Sequence, residues 1–80
     1  MPYITKTSRA RIDEGDEVQV AGELNYVFTK AIREYITRKG KSYQNFNDVI
    51  GALEGAKQEF YRRVVAPYEE EKIKQNGDVY

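Results

Sequence analysis

Between Leu24 and Ile36, apolar side chains recur at helical spacing over an arc wider than one short chain can readily cover. Leu24, Val27, Phe28, Ala31 and Tyr35 form one stripe, and Ile32 and Ile36 widen it to about half the circumference of a helix. A single partner helix needs a narrower face. An eighty-residue chain buries only about 60% of its unfolded surface. The spacing therefore predicts a helix over about 23–39 that also meets a second copy of the chain.

The ends of that helix are legible. Gly22 can serve as N-cap, Glu23 suits the positive end of the helix dipole, and Arg38 and Lys39 suit the negative end. Gly40 fits the left-handed residue that closes a helix. A polar bend over 41–47 leads to a second long helix, predicted from about Asn47 to Ala66 and capped by Asn45 or Asn47. Its stripe is Phe46, Val49, Ile50, Leu53, Phe60 and Val64. Pro67 is expected to end or kink it and to start a short third helix that stops at Asn76-Gly77. Ser8 to Ile12 has the composition of one helical turn, and Asp13 to Glu17 that of a solvated acidic turn. The termini, Met1–Ile4 and Asp78–Tyr80, are expected to be extended. The fold class is thus mainly α: two long helices and a short C-terminal one, with short extended termini, in one domain spanning 1–80 and a symmetric oligomer.

Composition removes several functions. With no cysteine and no histidine, disulfides, thiol chemistry, histidine-based catalysis and zinc sites built on those ligands are excluded. The first twenty residues have no apolar run of the signal-peptide kind, and no stretch is apolar for long enough to span a bilayer. A formal net charge of zero with interspersed signs argues against broad binding to duplex nucleic acid. Carboxylates abound, yet nothing in the sequence pairs them into a general acid and base, and Ser8 and Ser42 have no histidine to activate them. No catalytic residue, cofactor or metal is expected, so the chain reads as a binding protein and not an enzyme; a carboxylate-only magnesium site, and with it a metal-dependent nuclease or phosphodiesterase, is the distant third reading.

Three groups of residues suit binding. Gly51 and Gly55, four apart on the side of the second helix opposite its stripe, leave a wall without side chains, with Arg62 on the same side and Arg63 further round. That wall suits either a close helix crossing or a cleft in which a guanidinium meets a phosphate. On the first helix, Tyr26, Lys30, Arg33 and Thr37 share a polar face where a ring could stack a base beside cations, although a solvated face has the same composition. Asn25, at the edge of the apolar arc, could read a base edge or bond a neighbouring backbone. Tyr61 and Tyr68 complete the stacking candidates, from a chain with seven tyrosines. Glu59 and Arg63 have the spacing of an ordinary ion pair.

The segments Pro2-Tyr3-Ile4, Gly22-Glu23-Leu24-Asn25-Tyr26, Asn47 to Glu54 and Glu59-Phe60-Tyr61-Arg62-Arg63 form a recognisable set, with Pro67-Tyr68-Glu69, Lys72-Ile73 and Asn76 to Tyr80. Together they resemble a widespread family of very short phage and prophage proteins catalogued as a domain of unknown function. The match covers nearly the whole chain and is tightest from Tyr43 onward, whereas Asp13 to Ala21 departs from the family's longer helical lead-in. That family is in turn similar to the tetrameric phage anti-CBASS sponges, which sequester cyclic dinucleotide immune signals without cleaving them. The resemblance implies a homo-oligomer, dimer or tetramer, holding a cyclic dinucleotide in the cytoplasm of an infected or lysogenic bacterial host. It assigns no ligand contact to individual positions. The rival expectation is a small structural or regulatory interaction module with no nucleotide ligand.

Overall fold

The computed structural model describes residues 1–80 and is mainly helical, with 76% of residues in helices and no strand. The helices are α1 (Lys6–Asp13), α2 (Ala21–Lys39), α3 (Tyr43–Phe60) and α4 (Ala66–Asn76), with a π turn over Tyr61–Val65 between α3 and α4. The chain divides into two units, Met1–Asn45 and Phe46–Tyr80.

In the first unit α1 is a complete short helix, longer than the single turn its composition suggests. Thr5 caps its start, accepting the Ser8 N–H at 3.1 Å on its hydroxyl. Its end is closed by Gly15 at φ 92°, where the Gly15 N–H donates to Ile12 O and the Asp16 N–H to Arg11 O. That is the paired 5→2 and 6→1 bonding of a Schellman end, and it needs the positive φ that glycine adopts without a Cβ penalty. Ile12 is the buried apolar residue of the unit and shares a crevice with Val27 and Ala31 of α2.

The N-cap of α2 is Val20, two residues before the expected Gly22, and its side chain makes no cap bond. Glu23 takes over that function from inside the first turn: its carboxylate accepts the Gln19 N–H at 2.9 Å and a short bond from the Arg11 guanidinium. Arg11 also reaches Asp16 at 3.2 Å and the Glu17 carbonyl at 2.9 Å. Glu23 is only 6% exposed, so this bonding satisfies a carboxylate that burial would otherwise penalise. Gly22 is needed for closeness instead: a Cβ there would lie 3.1 Å from the Ile4 side chain and 3.4 Å from the Met1 carbonyl.

At the other end, Gly40 carries φ 94° and ψ 162°, a region open to glycine but not the left-handed helical one. Ser42 caps α3 by accepting the Asn45 N–H at 3.1 Å. Asn45, expected as a cap for its own helix, donates its amide to Lys39 O and Gly40 O and so satisfies the end of the preceding one.

In the second unit Pro67 sits in the first turn of α4, as expected, but the helical backbone is not broken before it. Residues 43–76 stay helical throughout, because the chain widens to i→i+5 bonding just before the proline, with the Ala66 N–H donating to Tyr61 O. The wider turn accommodates a ring that lacks an N–H and would collide with the carbonyl four residues back. One extra residue turns α4 back by about 100°. Tyr61 and Glu69, eight apart and about 80° out of line on a regular helix, are thereby brought to one face, and the tyrosine hydroxyl donates to the carboxylate at 3.0 Å. No residue from Phe46 to Tyr80 is buried.

Candidate functional site

The built feature of the first unit is a carboxylate clasp at the root of α2. Asp13, the last residue of α1, accepts the Tyr26 hydroxyl at 2.9 and 3.1 Å and the Lys30 ammonium at 3.0 Å. Lys30, and then Tyr26, hold the Asp13 carboxyl below the usual aspartate range. Asp13 in turn raises the ordinary values of both the Lys30 ammonium and the Tyr26 hydroxyl. The ring is therefore tied at its tip and keeps its orientation on the helix.

Beside that ring runs an open groove of about 400 Å³, lined by Tyr26, Thr29, Lys30, Arg33, Glu34, Thr37 and Arg38. Its volume falls in the range of small-molecule sites, about 300–1,000 Å³. The cations are not equivalent. Lys30 is engaged by Asp13, and Arg38 stacks over the Tyr35 ring at 6.0 Å. The Arg33 side chain has no hydrogen bond or ion pair within the chain. A planar donor fork without a partner, two helical turns from an anchored ring, suits a phosphate-bearing aromatic ligand.

The structure separates the residues singled out from sequence. Asn25 and Tyr26 lie in the first unit; Gly51, Gly55, Tyr61, Arg62, Arg63 and Tyr68 lie in the second. Asn25 is half-buried and its carbonyl accepts the Thr29 hydroxyl at 3.3 Å, a local bond within α2. Gly51 and Gly55 have nothing within 4 Å of an added Cβ, so no group of the chain roofs the glycine wall. Arg62 and Arg63 both turn onto Glu59, at 2.6 and 2.7 Å, and depress its carboxyl. Tyr61 is taken by Glu69, and Lys72 sits over the Tyr68 ring at 5.3 Å. No three acidic side chains gather closely enough to hold a metal ion.

Asp13, Arg38 and the groove-lining Glu34 and Thr29 lie outside the sequence reading of this face. The sequence implies a solvated acidic turn for Asp13, but it ends α1 and meets partners thirteen and seventeen residues on. Arg38 was assigned to the helix dipole and also lines the groove. Helical periodicity could have placed Arg38 one turn beyond Glu34, at the far end of the groove from Tyr26; nothing in the spacing of Asp13 announces its contacts.

No helix is long and apolar enough to cross a membrane. Searches of curated proteins and of solved structures find no match. A family model described as a domain of unknown function, DUF6899, matches residues 1–79. Matched over nearly its full length, the chain belongs to the DUF6899 family.

Proposed function

We propose that the protein binds and sequesters a cyclic dinucleotide without cleaving it, as a homo-oligomeric dimer or tetramer acting in the cytoplasm of an infected or lysogenic bacterial host. The observation that carries this reading is the α2 groove, with the unpartnered Arg33 side chain two turns along from the Asp13-anchored Tyr26 ring. The phosphate would meet Arg33, and a base would stack on Tyr26. Arg62 and Arg63 are less economical phosphate ligands, because each must first exchange its bond to Glu59. Non-destructive binding fits a chain with no histidine, cysteine or evidently activated nucleophile.

Calorimetry against a panel of cyclic dinucleotides, followed by chromatography of the ligand released on heating, tests this directly. Intact ligand should be recovered. Arg33→Ala should weaken binding by about ten- to a hundredfold, the cost of one charged hydrogen bond of about 1.5–3 kcal/mol. Absence of binding, or the appearance of cleavage products, would overturn the reading. A second reading, an interaction module with no nucleotide ligand, draws on the exposed apolar stripe of α3 and would be favoured by no binding.

A further inference from the structure

The largest uncovered feature of the second unit is the stripe of Phe46, Ile50, Leu53, Phe60 and Val64, which are 42%, 65%, 39%, 60% and 53% exposed. Single exposed apolar residues are ordinary, but Phe46, Ile50, Leu53 and Phe60 follow one another along one face of α3 over about four turns, and Val64 continues them in the π turn. A helix gains most of its stability by packing its apolar face, and from Phe46 to Tyr80 no side chain is buried. Taking about 200 Å² as the accessible area of a side chain of this size, these exposures leave about 500 Å² of apolar surface on one chain. Two such faces together give about 1,000 Å², the threshold at which an interface becomes specific.

We propose that this stripe is the surface on which a second copy of the chain docks, with the two α3 helices antiparallel and crossing near Gly55. The proposal rests on the assembly part of the function above and not on its ligand. The stripe complements its own reverse: Phe46 falls opposite Val64 of the second copy and Ile50 opposite Phe60, a larger group against a smaller one, while Leu53 falls opposite the aliphatic stem of Lys57. Lys57 is the charged residue lying within the stripe, and it already approaches Glu54 of its own chain at 3.5 Å. In the antiparallel arrangement Lys57 of each copy meets Glu54 of the other. In a parallel arrangement the two Lys57 ammonium groups would face each other, and so would the two Glu54 carboxylates. Like charges at the centre of an apolar seam select against that orientation. The two-fold arrangement is closed, so it stops at the pair on this face. It leaves Gly51 and Gly55, on the opposite side of α3, outside the contact.

The chain has no cysteine, so Asn47→Cys introduces a unique spin-label position on the flank of the stripe. In the antiparallel pair the two labelled positions lie about sixteen residues apart along the seam, hence about 24 Å apart at 1.5 Å per residue. In a parallel pair they lie side by side, about 10 Å apart. Pulsed electron paramagnetic resonance on the ligand-free protein should give the long distance, and Ile50→Glu should weaken pairing about a hundredfold in sedimentation. A monomer in sedimentation would overturn both this pairing and the assembly reading. A dimer with the short distance, or one that survives Ile50→Glu and breaks with Gly55→Leu, would overturn the pairing alone. Calorimetry for the ligand is independent of these outcomes.

Discussion

Gly51→Ala combined with Gly55→Ala tests what the bare wall of α3 is for. Both positions are in the helix interior, where glycine costs about 1 kcal/mol relative to alanine through backbone entropy. A Cβ added at either position meets nothing within 4 Å, so no clash within the chain offsets the gain. The pair of substitutions should therefore stabilise the fold by about 2 kcal/mol, lowering the unfolded population roughly thirtyfold. For a domain of this size, 1 kcal/mol moves the melting temperature by about 4–8 °C, so a rise of about 8–16 °C is expected. Circular dichroism melts read this directly when repeated at several protein concentrations, because assembly makes the midpoint concentration-dependent. Sedimentation of the same variant should show assembly unchanged. A lowered midpoint, or loss of assembly, would refute the reasoning. Either would mean that a backbone from outside the chain lies against the glycines, as the close-crossing reading of the sequence allowed.

Acid should loosen the first unit by protonating Glu23. Arg11, and then the Gln19 N–H, hold that carboxyl below the ordinary glutamate value, so its contribution is full above that value and is lost as pH falls through the depressed one. Thermal melts should fall off below about pH 4, and Glu23→Gln should flatten that dependence while lowering stability at neutral pH; an unchanged acid limb in the variant would assign the loss to other carboxylates. Pro67→Ala removes the reason for the π turn and should let it relax to regular helix, parting Tyr61 from Glu69. Glu69 raises the Tyr61 hydroxyl above its ordinary value, so ultraviolet titration should show one tyrosine ionising earlier in this variant, and likewise in Glu69→Gln. No change in either would contradict the Tyr61–Glu69 bond.

The helical class, the two long helices and the ends at Lys39 and Asn76 follow from the sequence by itself, because they depend on periods and end signals carried within a few residues. The Glu59–Arg63 pair was legible for the same reason, being four residues apart on one helix. The shared polar face of Tyr26, Lys30, Arg33 and Thr37 was also legible, since regular helix geometry places those residues together. Tertiary structure decided the rest. Ser42, not Asn45, caps α3, because Asn45 is drawn to the carbonyls at the end of α2. Pro67 starts α4 as the sequence implies, but a widened turn and not a break joins it to α3, and residue spacing cannot choose between the two. Asp13 leaves the solvated turn its neighbours imply because the Schellman end at Gly15 folds α1 onto α2, and only then do a carboxylate, a phenol and an ammonium thirteen and seventeen residues away become neighbours. Local propensity acts over one or two turns, whereas charge satisfaction and burial act over whatever distance the fold has closed.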